Sequence, residues 1–182
     1  MQISTTAPVL QFRLAETSDA ATIETLVNSG YRGEASRQGW TTEADLLGGT
    51  RINLQEVNDL MSSNDSVILL CLQNAAIIGC VLLQHEAASV YLGMFVVQPN
   101  LQANGIGRQL MHAAEDLVKT RWRAEKIWMT VITLRTELIA YYVRRGYQQT
   151  GRYKPFPPEI AQAFATVDHL QFEVLEKSLR YE

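Results

Sequence analysis

Val96-Val97-Gln98-Pro99-Asn100-Leu101-Gln102-Ala103-Asn104-Gly105-Ile106-Gly107-Arg108-Gln109-Leu110 decides how the chain is read. The segment begins at the end of a β-rich run, Ser89 to Val97, which stops at Pro99, and passes through two glycines into an amphipathic helix. That helix carries Ile106, Leu110, Ala113, Ala114, Leu117 and Val118 on one face and Arg108, Gln109, His112, Glu115, Asp116 and Lys119 on the other. A helix that starts straight after a strand offers unpaired backbone N–H groups and the positive end of its dipole, a seat for phosphate. Gly105 and Gly107 let a pyrophosphate approach the backbone, and Arg108 adds a fixed positive charge. The same glycines would also serve a tight turn that holds no ligand. Two phosphate loops are excluded: G-x-G-x-x-G needs a small residue where Leu110 stands, and Gly-Lys nowhere precedes Ser or Thr.

Working outward, Val67 to Leu72 and Ala76 to Leu83 read as two buried strands of a hairpin that turns at Gln73 and Asn74. Leu10 to Leu14 alternates like a half-buried strand. Ser18 or Asp19 caps a helix whose apolar stripe is Ala20, Ala21, Ile23, Leu26 and Val27, and Asn53 to Met61 forms another. Between them Tyr31 to Arg51 is a glycine-bearing loop with one helical turn. Downstream come a strand at Lys126 to Ile132, a helix from Thr136 to Arg145 closed by Gly146, and a strand from Tyr147. Lys154 to Pro158 reads as a loop, and Leu170 to Leu175 as a final strand. Adjacent strands with helices between some of them predict an α+β chain, a mixed sheet with helices packed on it. With no internal repeat or linker, residues 1–182 are expected to form a single domain.

At 182 residues, 47% hydrophobic and 19% charged, the chain can bury a sizeable core, which excludes a disordered regulator. Sixteen basic residues against nineteen acidic ones leave a formal charge of -3, so nucleic acid is not an expected partner. Whatever small partner is taken up, that balance favours a cation. No charged start followed by an apolar run opens the chain, and no run is long enough to span a bilayer, so a cytoplasmic protein without a membrane partner is expected. Cys71 and Cys80 lie inside strand-like runs, and His112 and His169 have no second ligand at metal spacing, so neither a metal nor a disulfide is expected.

Gln102, Gly105 and Gly107 satisfy in full the central motif of the GNAT superfamily of N-acetyltransferases, Gln or Arg, two residues, Gly, any residue, Gly or Ala, and the whole segment resembles it. A distant segment, Leu138-Ile139-Ala140-Tyr141-Tyr142-Val143-Arg144-Arg145-Gly146-Tyr147, is similar to that family's later helix, aromatic, Tyr, three residues, Gly, aromatic. Both stand in the family's order, and the resemblance spans roughly residues 10 to 150. It implies the acyl-CoA N-acyltransferase fold, a central, mostly antiparallel mixed sheet with helices on both faces, and acetyl-coenzyme A as co-substrate. It places the pantetheine arm along Phe95, Val96 and Val97 and the pyrophosphate on Gln102, Ala103, Asn104, Gly105, Ile106, Gly107 and Arg108. One position departs: Arg135 stands where many members carry an Asn that touches the cofactor.

Acetyl transfer from a thioester to an amine needs a neutral amine, an oxyanion donor and a proton for the leaving thiolate. The resemblance gives the last role to Tyr142, whose phenol stays protonated at neutral pH; read without the resemblance, Tyr142 is a core tyrosine beside Leu138, Ile139 and Val143. The oxyanion donor would be a backbone N–H near Phe95 or Val96. No carboxylate lies on Val90 to Val97, leaving a water chain or a residue such as Glu34, Glu43 or the His85-Glu86 pair as bases to weigh. The loop from Tyr31 to Trp40 occupies the part of the chain that closes over the acceptor in the family, so Tyr31, Glu34 and Trp40 are expected to bind it. The leading expectation is an N-acetyltransferase acting on the primary amine of a small molecule by direct attack in a ternary complex. The alternative is a non-catalytic acyl-CoA sensor or interaction module. A homodimer joined through the exposed edge of Leu170 to Leu175 is left open.

Overall fold

A computed structural model describes residues 9–179. The elements run β1 (Leu10–Leu14), α1 (Ala20–Tyr31), α2 (Gly33–Ser36), α3 (Leu54–Ser62), β2 (Ser66–Gln73), β3 (Ala76–Glu86), β4 (Ser89–Val97), α4 (Ile106–Trp122), β5 (Lys126–Ile132), α5 (Thr136–Val143), β6 (Gln148–Pro155), α6 (Pro158–Phe164) and β7 (Gln171–Ser178). The strands make one seven-stranded sheet in the order β1-β2-β3-β4-β5-β7-β6. Every neighbouring pair is antiparallel except β4 and β5, which is parallel. This is the mixed, mostly antiparallel sheet expected from the resemblance.

Alternation along the strands sorts the core onto two faces. Ile68, Leu70 and Leu72 of β2 pack with Ile23, Val27 and Val57 of α1 and α3, while Leu69 and Cys71 face the opposite cluster, with Leu110, Ala114 and Val118 of α4. Helices therefore cover both faces, and both cysteines are buried and free. In β4, Val90, Leu92, Phe95 and Val97 all belong to the α4 side, whereas Met94 and Val96 belong to the α1 side. The step of three between Leu92 and Phe95 is a β-bulge: the register with β3 shifts there and Met94 takes a left-handed φ of 47°.

Local chemistry explains the helix starts. The Asn53 side chain accepts from the N–H of Glu56, and the Glu56 carboxylate accepts from the N–H of Asn53, a capping box for α3. Asp19 stands at the head of α1 but caps the turn before it, accepting from the N–H of Glu16 and from both Arg13 amino groups. Gly146, at φ 90°, ends the turn after α5.

Three expectations are corrected. The hairpin turns at Asn74 and Ala75, both with positive φ, one residue later than read. Lys154 to Pro158 is not wholly a loop: β6 continues to Pro155, tolerated because β6 is an edge strand, and Pro158 opens α6 in the position where a missing N–H costs nothing. The final strand is no edge, since β7 lies between β5 and β6 and has no free side for a second subunit. Among the described residues no helix is long and apolar enough to cross a membrane.

Candidate active site

The bulge in β4 opens the sheet. β4 and β5 pair only where Ser89–Tyr91 meet Lys126–Trp128, and beyond Tyr91 that pairing stops, while β5 stays paired with β7 on its other side along its whole length. Leu92 to Val97 thus has no ladder partner on the β5 side, in the middle of the molecule. Two polar side chains reach into this gap. Tyr31 donates to the Phe95 carbonyl at 2.6 Å, and the Gln102 amide donates to the Val97 carbonyl at 3.0 Å. Tyr31 arrives there because α1 lies close on β4 at Gly30, where any side chain would collide with Val96. Phenylalanine at Tyr31 would leave the Phe95 carbonyl unpaired, and a loss of about 1–2 kcal/mol in urea unfolding is expected.

Below the gap, a turn through Pro99–Leu101 leads to Ala103 and Gly105 at φ 69° and 77°, and α4 begins at Ile106. A cavity of about 220 Å³ lies against this turn, walled by Phe95, Val97, Gln102, Ala103, Gly105, Gly107 and Arg108, seven of the ten residues expected to hold the cofactor. The other three are elsewhere: the Val96 and Ile106 side chains are in the core, and the exposed Asn104 donates to the Leu101 carbonyl. The glycines keep the cavity open, since a Cβ at Gly107 would come within 2.9 Å of the Tyr141 hydroxyl. Thr41, Tyr141 and Arg145 complete the wall and were not anticipated. Arg145 lies 3.4 Å over the Tyr141 ring with its Nε buried and unpartnered, a donor suited to an anionic ligand. Spacing alone could have flagged it, because Arg145 is one turn beyond Tyr141 on the same helix face.

Trp40, expected on the acceptor side, belongs to this cavity too: its ring packs at 4.8 Å on Tyr141. Gln102 fixes it there, accepting from the Trp40 N–H at 2.9 Å and donating to the Thr41 hydroxyl at 2.8 Å. The motif glutamine therefore ties the Trp40–Thr41 crossing to the end of β4 with its whole amide group.

On the other side of Phe95 a second cavity, about 330 Å³, is walled by Tyr31, Tyr91, Phe95, Tyr142, Phe156 and Phe172 among others. Phe95 borders both spaces. Tyr142 is buried, edge-on to Tyr141, Tyr147 and Phe95 with ring centres 5.3, 5.9 and 6.3 Å away. Burial, and then the neighbouring Tyr31 and Tyr141, hold its phenol well above the ordinary value. Burial does the same to Tyr31.

The candidate bases are separated by the fold. Glu34 is exposed, pairs with Arg37 and lines neither cavity. His85 stacks on Trp122, and Glu86 borders a groove at the far end of the sheet with Lys126 and Arg152. Only Glu43 reaches the cavity, where it pairs with Arg32 and, at 3.6 Å, with Arg135. Arg135, in place of the family Asn, lines this cavity and not the one at the glycine turn, and also donates to the Trp40 carbonyl at 3.4 Å. The cavity wall holds Arg32, Arg51 and Arg135 against Glu43 alone among the described lining residues. This side of Phe95 is thus net positive, although the chain as a whole is acidic.

Known structures share this architecture. The ribosomal-protein-S18-alanine N-acetyltransferase of Escherichia coli is 14% identical, with 96% of each chain covered and a TM-score of 0.71. An N-acetyltransferase from Staphylococcus aureus Mu50 is 12% identical, covering 94% of this chain and 98% of its own, at 0.71. The spermidine/spermine N-acetyltransferase SpeG from Vibrio cholerae, solved with manganese ions, is 17% identical, covering 93% and 92%, at 0.66. No curated protein sequence matches. The fold is thus that of the N-acetyltransferases. The family model of the acetyltransferase (GNAT) family matches residues 26–147, and the chain belongs to that family, an acetyltransferase.

Proposed function

We propose that this protein transfers the acetyl group of acetyl-coenzyme A to the primary amine of a small molecule, in one ternary complex. The observation that carries this reading is the pair of cavities that meet at Phe95, one against the glycine turn and one beside Tyr142. The glycine turn and the α4 N-terminus would take the pyrophosphate, with Arg108 and Arg145 as cations, and the unpaired edge of β4 the pantetheine amides. The residues fit: two glycines leave the approach open and Arg145 has a buried donor to spare.

The neutral amine would attack the thioester carbonyl carbon, with backbone N–H groups near Phe95 stabilising the oxyanion. As the C–S bond breaks, the Tyr142 hydroxyl gives its proton to the sulfur, and the phenolate regains one from the new ammonium through solvent. A net positive wall disfavours an ammonium and so favours the neutral form that attacks. Glu43 is tied to two arginines, and no other carboxylate lines the cavity among the described residues, so water is the proton acceptor for the incoming amine.

Thiol release from acetyl-coenzyme A across a panel of primary amines, with the product weighed by mass spectrometry, tests the reading. Amine-dependent release with one acetyl group gained supports it; thermal stabilisation by acetyl-coenzyme A without release from any amine would favour the sensor instead. Gln102→Ala should raise the KM for acetyl-coenzyme A about tenfold with kcat changed less than about threefold, because it frees the Trp40–Thr41 crossing without touching Tyr142.

A further inference from the structure

Two guanidinium groups in the acceptor cavity are more buried than their partners justify. The side chains of Arg32 and Arg135 are 8% and 10% exposed, and the one carboxylate between them is Glu43. Arg32 Nε is buried with no hydrogen-bond acceptor, and Arg135 Nη1, also buried, has only the Glu43 carboxylate at 3.6 Å, beyond hydrogen-bond reach. A charged donor withdrawn from water and left unpaired is costly, so a buried arginine pair with a single counter-ion is an incomplete arrangement. Arg51 adds a third positive charge to the same wall, its guanidinium 5.8 Å from the centre of the Tyr31 ring. The remainder of the lining is largely aromatic and aliphatic, from Tyr91, Leu138, Phe156 and Phe172. Arg135 is near enough to oppose the upward shift of both Tyr31 and Tyr142, which places its charge close to the proposed reacting centre.

We infer that the acceptor is an α-amino acid with an apolar side chain, its carboxylate bound by Arg135 and Arg32 and its amine directed to Phe95 and Tyr142. The inference rests on the acetyltransferase reading above and narrows its substrate class. A substrate carboxylate supplies the missing counter-charge, and guanidinium groups match it in a planar, two-pronged geometry. The aromatic wall takes the side chain. A polyamine meets the opposite conditions: its further ammonium groups would face the three arginines. Glu56 and Asp59 border a neighbouring open groove and already accept from the Asn53 N–H and the Gln55 amide.

The test is thiol release by the full chain with acetyl-coenzyme A and matched acceptors: phenylalanine, leucine and methionine, each beside its α-amide and its decarboxylated amine, with spermidine alongside. The acids are expected to exceed their amides and amines in kcat/KM by about 100-fold, the scale of a buried charge pair. Arg135→Gln should close that gap, raising the KM for the acid far more than the KM for the amide. Arg135→Lys should restore part of it. Should Arg135→Gln fail to fold, the wild-type comparison of acid with amide decides alone. Equal or better turnover of the amides, the plain amines or spermidine overturns the inference and leaves the acetyltransferase reading intact. Absence of release from every amine defeats that reading instead. The carboxylate site is then judged by thermal shift of the coenzyme A-saturated protein, where a larger shift with phenylalanine than with phenylalaninamide supports it and equal shifts overturn it.

Discussion

Tyr142→Phe is expected to lower kcat by about 10²–10³-fold, the range of a lost general acid, while the KM for acetyl-coenzyme A moves less than about threefold. The ring is held edge-on among Phe95, Tyr141 and Tyr147, and phenylalanine fills the same volume, so the melting temperature should change little. That separates a chemical from a packing role, because a core tyrosine would show the reverse: near-normal turnover with altered stability. The pH profile carries a second signature. Burial raises the phenol well above its ordinary value, so the group stays protonated as the solution becomes alkaline. Consequently kcat should hold through about pH 9 and should not fall with the titration of an exposed tyrosine near about 10. Wild-type turnover by Tyr142→Phe would remove the assigned role.

Gly105→Val is expected to abolish useful affinity for acetyl-coenzyme A, raising its KM by more than about 100-fold and erasing the thermal shift it produces. Gly105 sits at φ 77° with open space where a side chain would project. A β-branched residue there carries the strain of a left-handed backbone, about 1–2 kcal/mol, and fills the approach to the α4 N-terminus. Gly151 provides the control. It too has a left-handed φ, 70°, and open space around its missing Cβ, but it lies on the edge strand β6. Gly151→Val should show a similar loss of stability with cofactor affinity unchanged. Equal loss of affinity in both variants would mean that strain alone, not a ligand seat, explains Gly105.

Much of the fold was legible because its signals are local. The hairpin β2–β3, the strand β4, the glycine turn and the faces of α4 follow from hydrophobic periodicity and from residues with special backbone preferences. α6 escaped notice because its prolines punctuate a loop and begin a helix equally well. For the site, Phe95, Val97, Gln102, Gly105, Gly107, Arg108 and Tyr142 were identified by resemblance and found lining the two cavities. Trp40 and Glu34 were expected to meet the acceptor, whereas Trp40 lines the cavity at the glycine turn and Glu34 lines neither cavity, since a loop free of periodicity gives no indication of where its side chains point.

What the amino-acid order determined by itself is the succession of strand, glycine turn and helix, and with it the shape of the turn at the head of α4, which depends only on backbone geometry within a few residues. The bulge at Met94, the insertion of β7 between β5 and β6, and the meeting of Arg32, Glu43 and Arg135 were decided by tertiary structure alone. Strand partners and buried charges are set by contacts between residues separated in the chain, furthest for Glu43 and Arg135, which no local pattern encodes. For the same reason a formal charge of -3, summed over the whole chain, suggested a cation, whereas the fold concentrates arginines in the cavity that has to be filled.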